Sequence, residues 1–291
     1  MDNSFEDIRS YRDEEIPAAM QRIAQSESLP KMLAFLFPNH TVEEIQSQFL
    51  DLKTVYEFQT KISSPASGEL VKNSSSQCVN LGLENISATD SYMFIANHRD
   101  IVMDSCILSK FLIDNPPFDT PEITFGSNLM QNPFLIDLGK SNKMFKIFRG
   151  GDARQFYRHS MQVSKYMRDD IVNRHQSVWI AQRNGRTKDG DDKTNPSVLK
   201  MFAMSSKASF VDNMNALHIT PVAVSYEYEP CDFLKVRELY ESSLHPYVKK
   251  PGEDLHSIIT GIKQWKGSIQ LQIMPPITQK ELEYCDQFEH N

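Results

Sequence analysis

Nowhere in the 291 residues is there a run approaching the roughly 18 consecutive apolar positions that a membrane-spanning helix needs. The start, MDNSFEDIRSYRDEE, is acidic where a secretory leader is basic and then apolar. A soluble, cytoplasmic protein is expected, whose contact with the inner face of a membrane, if it makes one, is peripheral. Cysteine is scarce. Cys78, Cys106, Cys231 and Cys285 lie far apart, with no Cys-x-x-Cys or Cys/His spacing, so neither a disulfide framework nor a zinc site is expected and the thiols should be reduced. An excess of positive charge is lacking as well: the formal net charge is −7, which argues against a nucleic-acid partner. Internal repeats and low-complexity tracts are absent. With 40% hydrophobic and 24% charged residues, the chain can bury a sizeable core, and its length suits one large α/β unit or a core with a small appendage.

The charge that is present is unevenly placed. Lys140 to Lys200 holds 14 Lys and Arg against 6 Asp and no Glu, a local +8 that leaves −15 for the rest. Such a segment is either a solvated helical face or a pocket for an anionic ligand, and local motifs have to decide.

Residues 1–62 read as several short helices, because Ile16, Ala19, Met20, Ile23, then Leu29, Leu33, Leu36 and Phe37 recur at helical spacing. Pro38, which has no backbone donor, should end that run at Phe37. Thr41 with Glu44 forms a capping box that opens a further helix carrying Val42, Ile45 and Phe49, and Leu52, Val55, Phe58 and Ile62 continue the pattern. The Ser-rich stretch SSPASGELVKNSSSQ, 63–77, reads as a linker or exposed turn between an N-terminal helical region, 1–62, and an α/β domain, 78–291. Beyond it, β-rich runs at 92–96, 122–125, 145–148, 177–181, 219–226 and 268–273 alternate with helical patterns. The expected fold is therefore α/β, a mixed sheet flanked by helices with a small N-terminal helical region. A helix over about 153–172 should turn Phe156, Val163, Met167 and Ile171 toward the core.

Three strand ends carry polar chemistry. The run 92–96 leads into Asn97-His98-Arg99-Asp100, and in an open α/β sheet ligands bind at the loops past the strands' carboxyl ends. A histidine there can act as a general base, with Asp104 or Asp100 to fix its tautomer. Phe145-Lys146-Ile147-Phe148 ends in Arg149-Gly150-Gly151, where an arginine fork suits phosphate and glycine admits close backbone approach. Trp179-Ile180-Ala181 leads into Gln182-Arg183-Asn184-Gly185-Arg186-Thr187-Lys188. Taken singly, each is as readily an ordinary strand-end turn. All three place polar or cationic groups past the same end of the sheet.

In their order, these segments resemble the four motifs of the glycerol-3-phosphate/lysophosphatidate acyltransferase family. Asn97-His98-Arg99 through Asp104 is similar to its histidine-aspartate motif. Phe145 to Gly150 places Arg149 where the family has a phosphate-binding arginine, Asn184-Gly185-Arg186-Thr187-Lys188 stands in the position of its Glu-Gly-Thr-Arg turn, and Ile219-Thr220-Pro221-Val222-Ala223 resembles its proline-bearing apolar strand. Together they span about 92–226, roughly half of the chain. Departures are visible. Five residues separate His98 from Asp104 where the family has four, so that either the loop bulges or Asp100 takes over; Asn184 replaces a glutamate; and Arg186-Thr187 reverses the family's order.

The resemblance implies an O-acyltransferase of phospholipid synthesis that needs no cofactor or metal. His98 and Asp104 would form its catalytic pair, and Arg149, Gly185, Arg186 and Lys188 would bind the acceptor. The donor would be acyl-CoA or an acylated acyl carrier protein, and the acceptor glycerol 3-phosphate or lysophosphatidate. The alternative reading is a non-catalytic phosphate- or phospholipid-binding homologue of the same fold, and a third is thiol chemistry by Cys106 with His98. The run Met32-Leu33-Ala34-Phe35-Leu36-Phe37 is the candidate for a bilayer contact, against the competing expectation that it packs on neighbouring helices.

Overall fold

The computed structural model of the protein describes residues 5–37, 40–130 and 132–288. Seven strands form one sheet: β1 (Gln77–Leu81), β2 (Met93–Ala96), β3 (Glu122–Gly126), β4 (Met144–Ile147), β5 (Val178–Ala181), β6 (Ile219–Tyr226) and β7 (Ser268–Ile273). Their spatial order is β1-β7-β6-β2-β5-β3-β4. From β6 to β4 all neighbours are parallel; β7 runs antiparallel to β6 and parallel to β1, so the sheet is mixed. The six expected strands fall within one residue of their places. β1, hidden at the end of the supposed linker, is the seventh. Pro221 is tolerated inside the sheet because the β6–β7 register begins at Val222↔Ile273, beyond the residue whose donor is missing.

Period-two alternation distributes the strand side chains between two cores. Met93, Val178 and Ile180 join Phe145, Val163, Met167 and Ile171 on one face, under the helix Ala153–Val172. Phe94, Ala96 and Trp179 join Met103, Ile107, Leu108 and Leu112 on the other, under the helix Met103–Ile113. Phe156 departs from the expected stripe. It is exposed, because the first two turns of its helix, residues 153–158, project past the sheet.

The stretch expected as a linker is instead helical. After Val55–Phe58 the chain winds through a π segment, Gln59–Ser63, into the helix Ser64–Ser74. Serines normally compete with a helix for its backbone groups, but here the hydroxyls of Ser67, Ser74 and Ser75 donate to the carbonyls of Ser63, Leu70 and Val71, four residues back. Ala66 and Ser67 are buried where this helix packs on Met103–Ile113.

The N-terminal helices, Ile16–Ala24, Leu29–Leu36 and Val42–Asp51, enclose a third core that includes Ile16, Met20, Leu33, Ile45, Phe49, Phe58 and Ile62. Thr41 and Glu44 form the expected reciprocal cap. Met32 and Phe37 pack against this cluster and Leu33 is inside it, so packing takes up those three residues of the run proposed for a bilayer. Pro38 and the side chain of Phe35 lie outside the described residues. Ahead of these helices, the Lys146 N–H donates to the Ile8 carbonyl at 2.9 Å, and Ile8 belongs to the sheet's own core.

Candidate active site

The loop after β2 is built around Asp104. This residue stands in the first turn of Met103–Ile113, where a negative charge is favoured by the helix dipole. Its Oδ2 accepts from the backbone N–H groups of Arg99 and Asp100 at 2.8 and 3.0 Å and lies 3.1 Å from His98 Nδ1. Its Oδ1 accepts from the Tyr226 hydroxyl at 2.7 Å. The two backbone bonds wrap residues 97–102 tightly about the carboxylate, and this turn absorbs the fifth intervening residue. A carboxylate only accepts, so Nδ1 is the donor in this contact, and in the neutral ring that tautomer carries its lone pair on Nε2. The His98 ring is 9% exposed and meets the Trp179 ring edge-on.

Asp100 does something else. Its Oδ1 accepts from the N–H groups of Val102 and Met103, both at 2.9 Å, at the start of the helix, while Oδ2 is buried without a partner among the described residues. Burial, then the neighbouring Asp104, push its carboxyl upward. Of the two candidates, Asp104 is the one that holds His98.

Behind the histidine lies a network that sequence reasoning missed. Asp192 accepts from Arg99 Nη2 at 2.6 Å, Asn97 Nδ2 at 3.2 Å and the Thr187 hydroxyl at 2.7 Å. Glu229 pairs with Arg99 at 3.2 Å and with Lys235, and Lys235, 1% exposed, donates to the Arg99 carbonyl at 2.6 Å. The Asn97 side chain also bonds both backbone groups of Val224 in β6. His98 is thus flanked by residues clamped to β6, to the loop after β5 and to the segment after β6. Local spacing held no signal for these partners, which are 93 to 136 residues away in the chain.

A cleft of about 230 Å³ opens at the carboxyl ends of β3, β4 and β5. Phe125, Ile147, Phe148, Phe156, Val198 and Met201 give it apolar walls; Arg149, Arg183, Asn184, Asn195 and Ser197 give it polar ones. Arg149 sits against Gly126, where an added Cβ would come within 2.8 Å of its Nε. Burial lowers its pKa, Asp254 nearby only partly offsetting this, and no ion pair within 4.0 Å is formed with it among the described residues. A desolvated guanidinium without a direct counter-ion favours an anion beside it.

The remaining cations are placed differently. Arg186 does not line the cleft: its charge acts on Cys231 and Asp100, and it keeps Nη1 buried without a partner among the described residues. Lys188 is paired with Glu238 at 2.7 Å. The expected phosphate trio is therefore corrected: Arg149 alone of the three faces the cleft, and Arg183, not singled out from the sequence, joins it. Gly150 and Gly185 have φ of 86° and 78° with nothing near an added Cβ, so glycine is required there by left-handed backbone and not by close approach of protein atoms. Thr187 N–H donates to the His98 carbonyl at 2.7 Å, which places the Asn184–Lys188 turn between the histidine and the cleft.

The Cys106 thiol is pushed up to about 11, chiefly by burial, so it stays protonated near neutrality and thiolate chemistry is not favoured. Among the described residues no group of His, Cys, Asp and Glu is arranged to hold a metal ion, and no helix is long and apolar enough to cross a membrane.

No protein-family model matches the chain, and no curated protein matches it in sequence. Among solved structures, the chain is similar to the crystal structure of the 1-acyl-sn-glycerophosphate (LPA) acyltransferase PlsC from Thermotoga maritima, at 14% identity and a TM-score of 0.46, over 94% of this chain and 91% of that one.

Proposed function

We propose that the protein transfers a fatty-acyl group from a thioester donor, acyl-CoA or acylated acyl carrier protein, to the hydroxyl of glycerol 3-phosphate or lysophosphatidate. The observation that carries this reading is the His98 Nδ1–Asp104 Oδ2 contact at 3.1 Å at the carboxyl end of a central strand, one strand away from a cleft lined by Arg149, which has no ion-pair partner among the described residues. In this reading the acceptor's phosphate rests on Arg149, with Arg183 beside it, and its hydroxyl reaches across the turn after β5 to His98 Nε2. Nε2 takes the hydroxyl proton as the oxygen attacks the thioester carbonyl. The tetrahedral intermediate then expels the thiolate, which recovers the proton from the imidazolium, and Asp104 steadies the ring throughout. No acyl-enzyme forms. The apolar walls of the cleft suit an acyl chain.

Thiol release measured with each acceptor tests the proposal. The wild-type protein should consume thioester only when an acceptor is present, and His98→Ala should lower turnover about 10²–10⁴-fold with the fold retained by circular dichroism. Full turnover in that variant would end the mechanism. Binding of acceptor by the wild-type protein with no thioester consumed would favour the non-catalytic homologue, the reading to which Asn184, a residue that cannot ionise, lends weight.

A further inference from the structure

The helix Asp232–Leu244 is turned inside out. Phe233, Val236, Tyr240 and Leu244 recur three and four residues apart and so share one face; with Val248 just beyond the helix they are 63–83% exposed. Two of its charged residues, Lys235 and Glu238, point the other way, while Arg237 stays exposed beside the stripe. Lys235 is buried against the Arg99 carbonyl and Glu229, and Glu238 is turned to Lys188. A surface helix of a free-standing globule shows the opposite arrangement, and a contiguous exposed apolar stripe marks a surface that something covers. Tyr228 and Trp265 are half exposed on segments tied to the start of this helix, where Gln264 donates to Asp232 and the Tyr228 N–H to the Lys266 carbonyl.

We propose that this face and the turn after it, residues 245–250, dock on an anionic lipid surface. Charge selects the occupant. The inward acids Glu229 and Glu238 are consumed by Arg99, Lys235 and Lys188. At the outer rim Arg237 and Lys249 are each the more exposed member of their pairs with Glu241 and Asp254, and Lys250 is exposed. Anionic headgroups meet them favourably, while the apolar side chains enter the boundary below the headgroups and aromatic residues settle at its level. Because Lys235 ties the inner face of this helix to the His98 loop, docking would hold the catalytic loop next to the membrane. The usefulness of such a surface rests on the acyl-transfer reading, but docking is measured without turnover, so the two fail separately.

Flotation of the full chain with vesicles of phosphatidylcholine and phosphatidylglycerol in equal parts tests the proposal. The wild-type protein and a control, Tyr56→Ser on the N-terminal helices, should float. The triple variant Phe233→Ser/Val236→Ser/Tyr240→Ser should lose roughly tenfold or more in binding. Lys249→Glu/Lys250→Glu, which leaves the apolar face untouched, should lose the preference for these vesicles over pure phosphatidylcholine. Wild-type protein that stays in solution, or a triple variant that floats equally well, would overturn the proposal. So would a wild-type dimer, formed without lipid, that the triple variant dissociates, since the face would then be covered by a second copy.

Discussion

At the carboxyl end of β2 the buried carboxylate of Asp104 meets four donors: two backbone N–H groups, the Tyr226 hydroxyl and the His98 ring. At the amino ends of β3 and β5 two further carboxylates are buried side by side. Glu122 accepts from the hydroxyls of Ser10 and Tyr166 at 2.9 and 2.6 Å. Asp170 is in contact with Arg174 through one oxygen and leaves the other without a partner among the described residues. Burial, then the Glu122 charge, push Asp170 up to about 9, against the pull of Arg174. One end is organised to keep a carboxylate's acceptors in use around a histidine whose Nε2 has no hydrogen-bond partner among the described residues. The other stacks acids until one retains its proton. A buried charge alone therefore says little about function; what separates the two ends is whether the partners leave a reactive atom unspent.

The harshest way to break the contrast is Asp104→Asn. The amide nitrogen cannot accept from the donors that converge there, so His98 loses its orienting acceptor or Tyr226 loses its own. Turnover should fall by about 10²–10⁴-fold, while leaving a buried donor unmet costs about 1–3 kcal/mol of stability. Steady-state kinetics beside chemical denaturation separates the two effects, and near-normal turnover would return the orienting role to some other residue.

Next in size is Arg149→Ala. Its guanidinium is desolvated and has no direct counter-ion among the described residues, whereas Arg174 at the opposite end is in contact with Asp170, so the former is the one with capacity left for a phosphate. Acceptor KM should rise about 10- to 100-fold, the worth of one or two charged hydrogen bonds, with a smaller change in kcat. An unmoved KM would remove Arg149 from the phosphate site.

Asp170→Asn probes the amino end and should leave turnover unchanged. An unfolded aspartate releases its proton near pH 4, roughly its unperturbed value, and the folded one near about 9. Between those values the folded state binds the extra proton, so stability falls as the pH rises through this window and levels off above it. In the variant that slope should flatten, as denaturant titrations on the acid and alkaline sides of neutrality would show. An equally steep variant would assign the slope to another group.

Much of this architecture was legible because it is local. Strand periodicity, the Thr41 cap and the short span from His98 to Asp104 are patterns of neighbours, and six strands fell within one residue of their expected places. The helix Ser64–Ser74 was hidden because its serines bond to their own helix's carbonyls, which composition alone cannot reveal. Phe156 followed a helical stripe, yet the stripe outruns the sheet. Asp192, Glu229, Lys235 and Tyr226 were invisible for another reason: their roles arise only when strands distant in sequence become neighbours, and Asp192 sits in a Gly-Asp-Asp turn that reads as solvated surface.

Lys188 marks the smallest expected effect and the finest test of the contrast. It shares a turn with Arg186 and follows the same strand as Arg183, so sequence position alone ranks it with the phosphate ligands. Its ammonium is 2.7 Å from Glu238, a partner on the inside-out helix, and a neutralised cation has little left to offer a distant phosphate. Lys188→Ala should therefore shift acceptor KM by no more than a factor of about two, within the range of a partly exposed ion pair, and Glu238→Gln should do no more. A rise comparable to that of Arg149→Ala would mean that Lys188 exchanges Glu238 for substrate on binding, and that pairing in the free protein does not separate structural cations from binding ones.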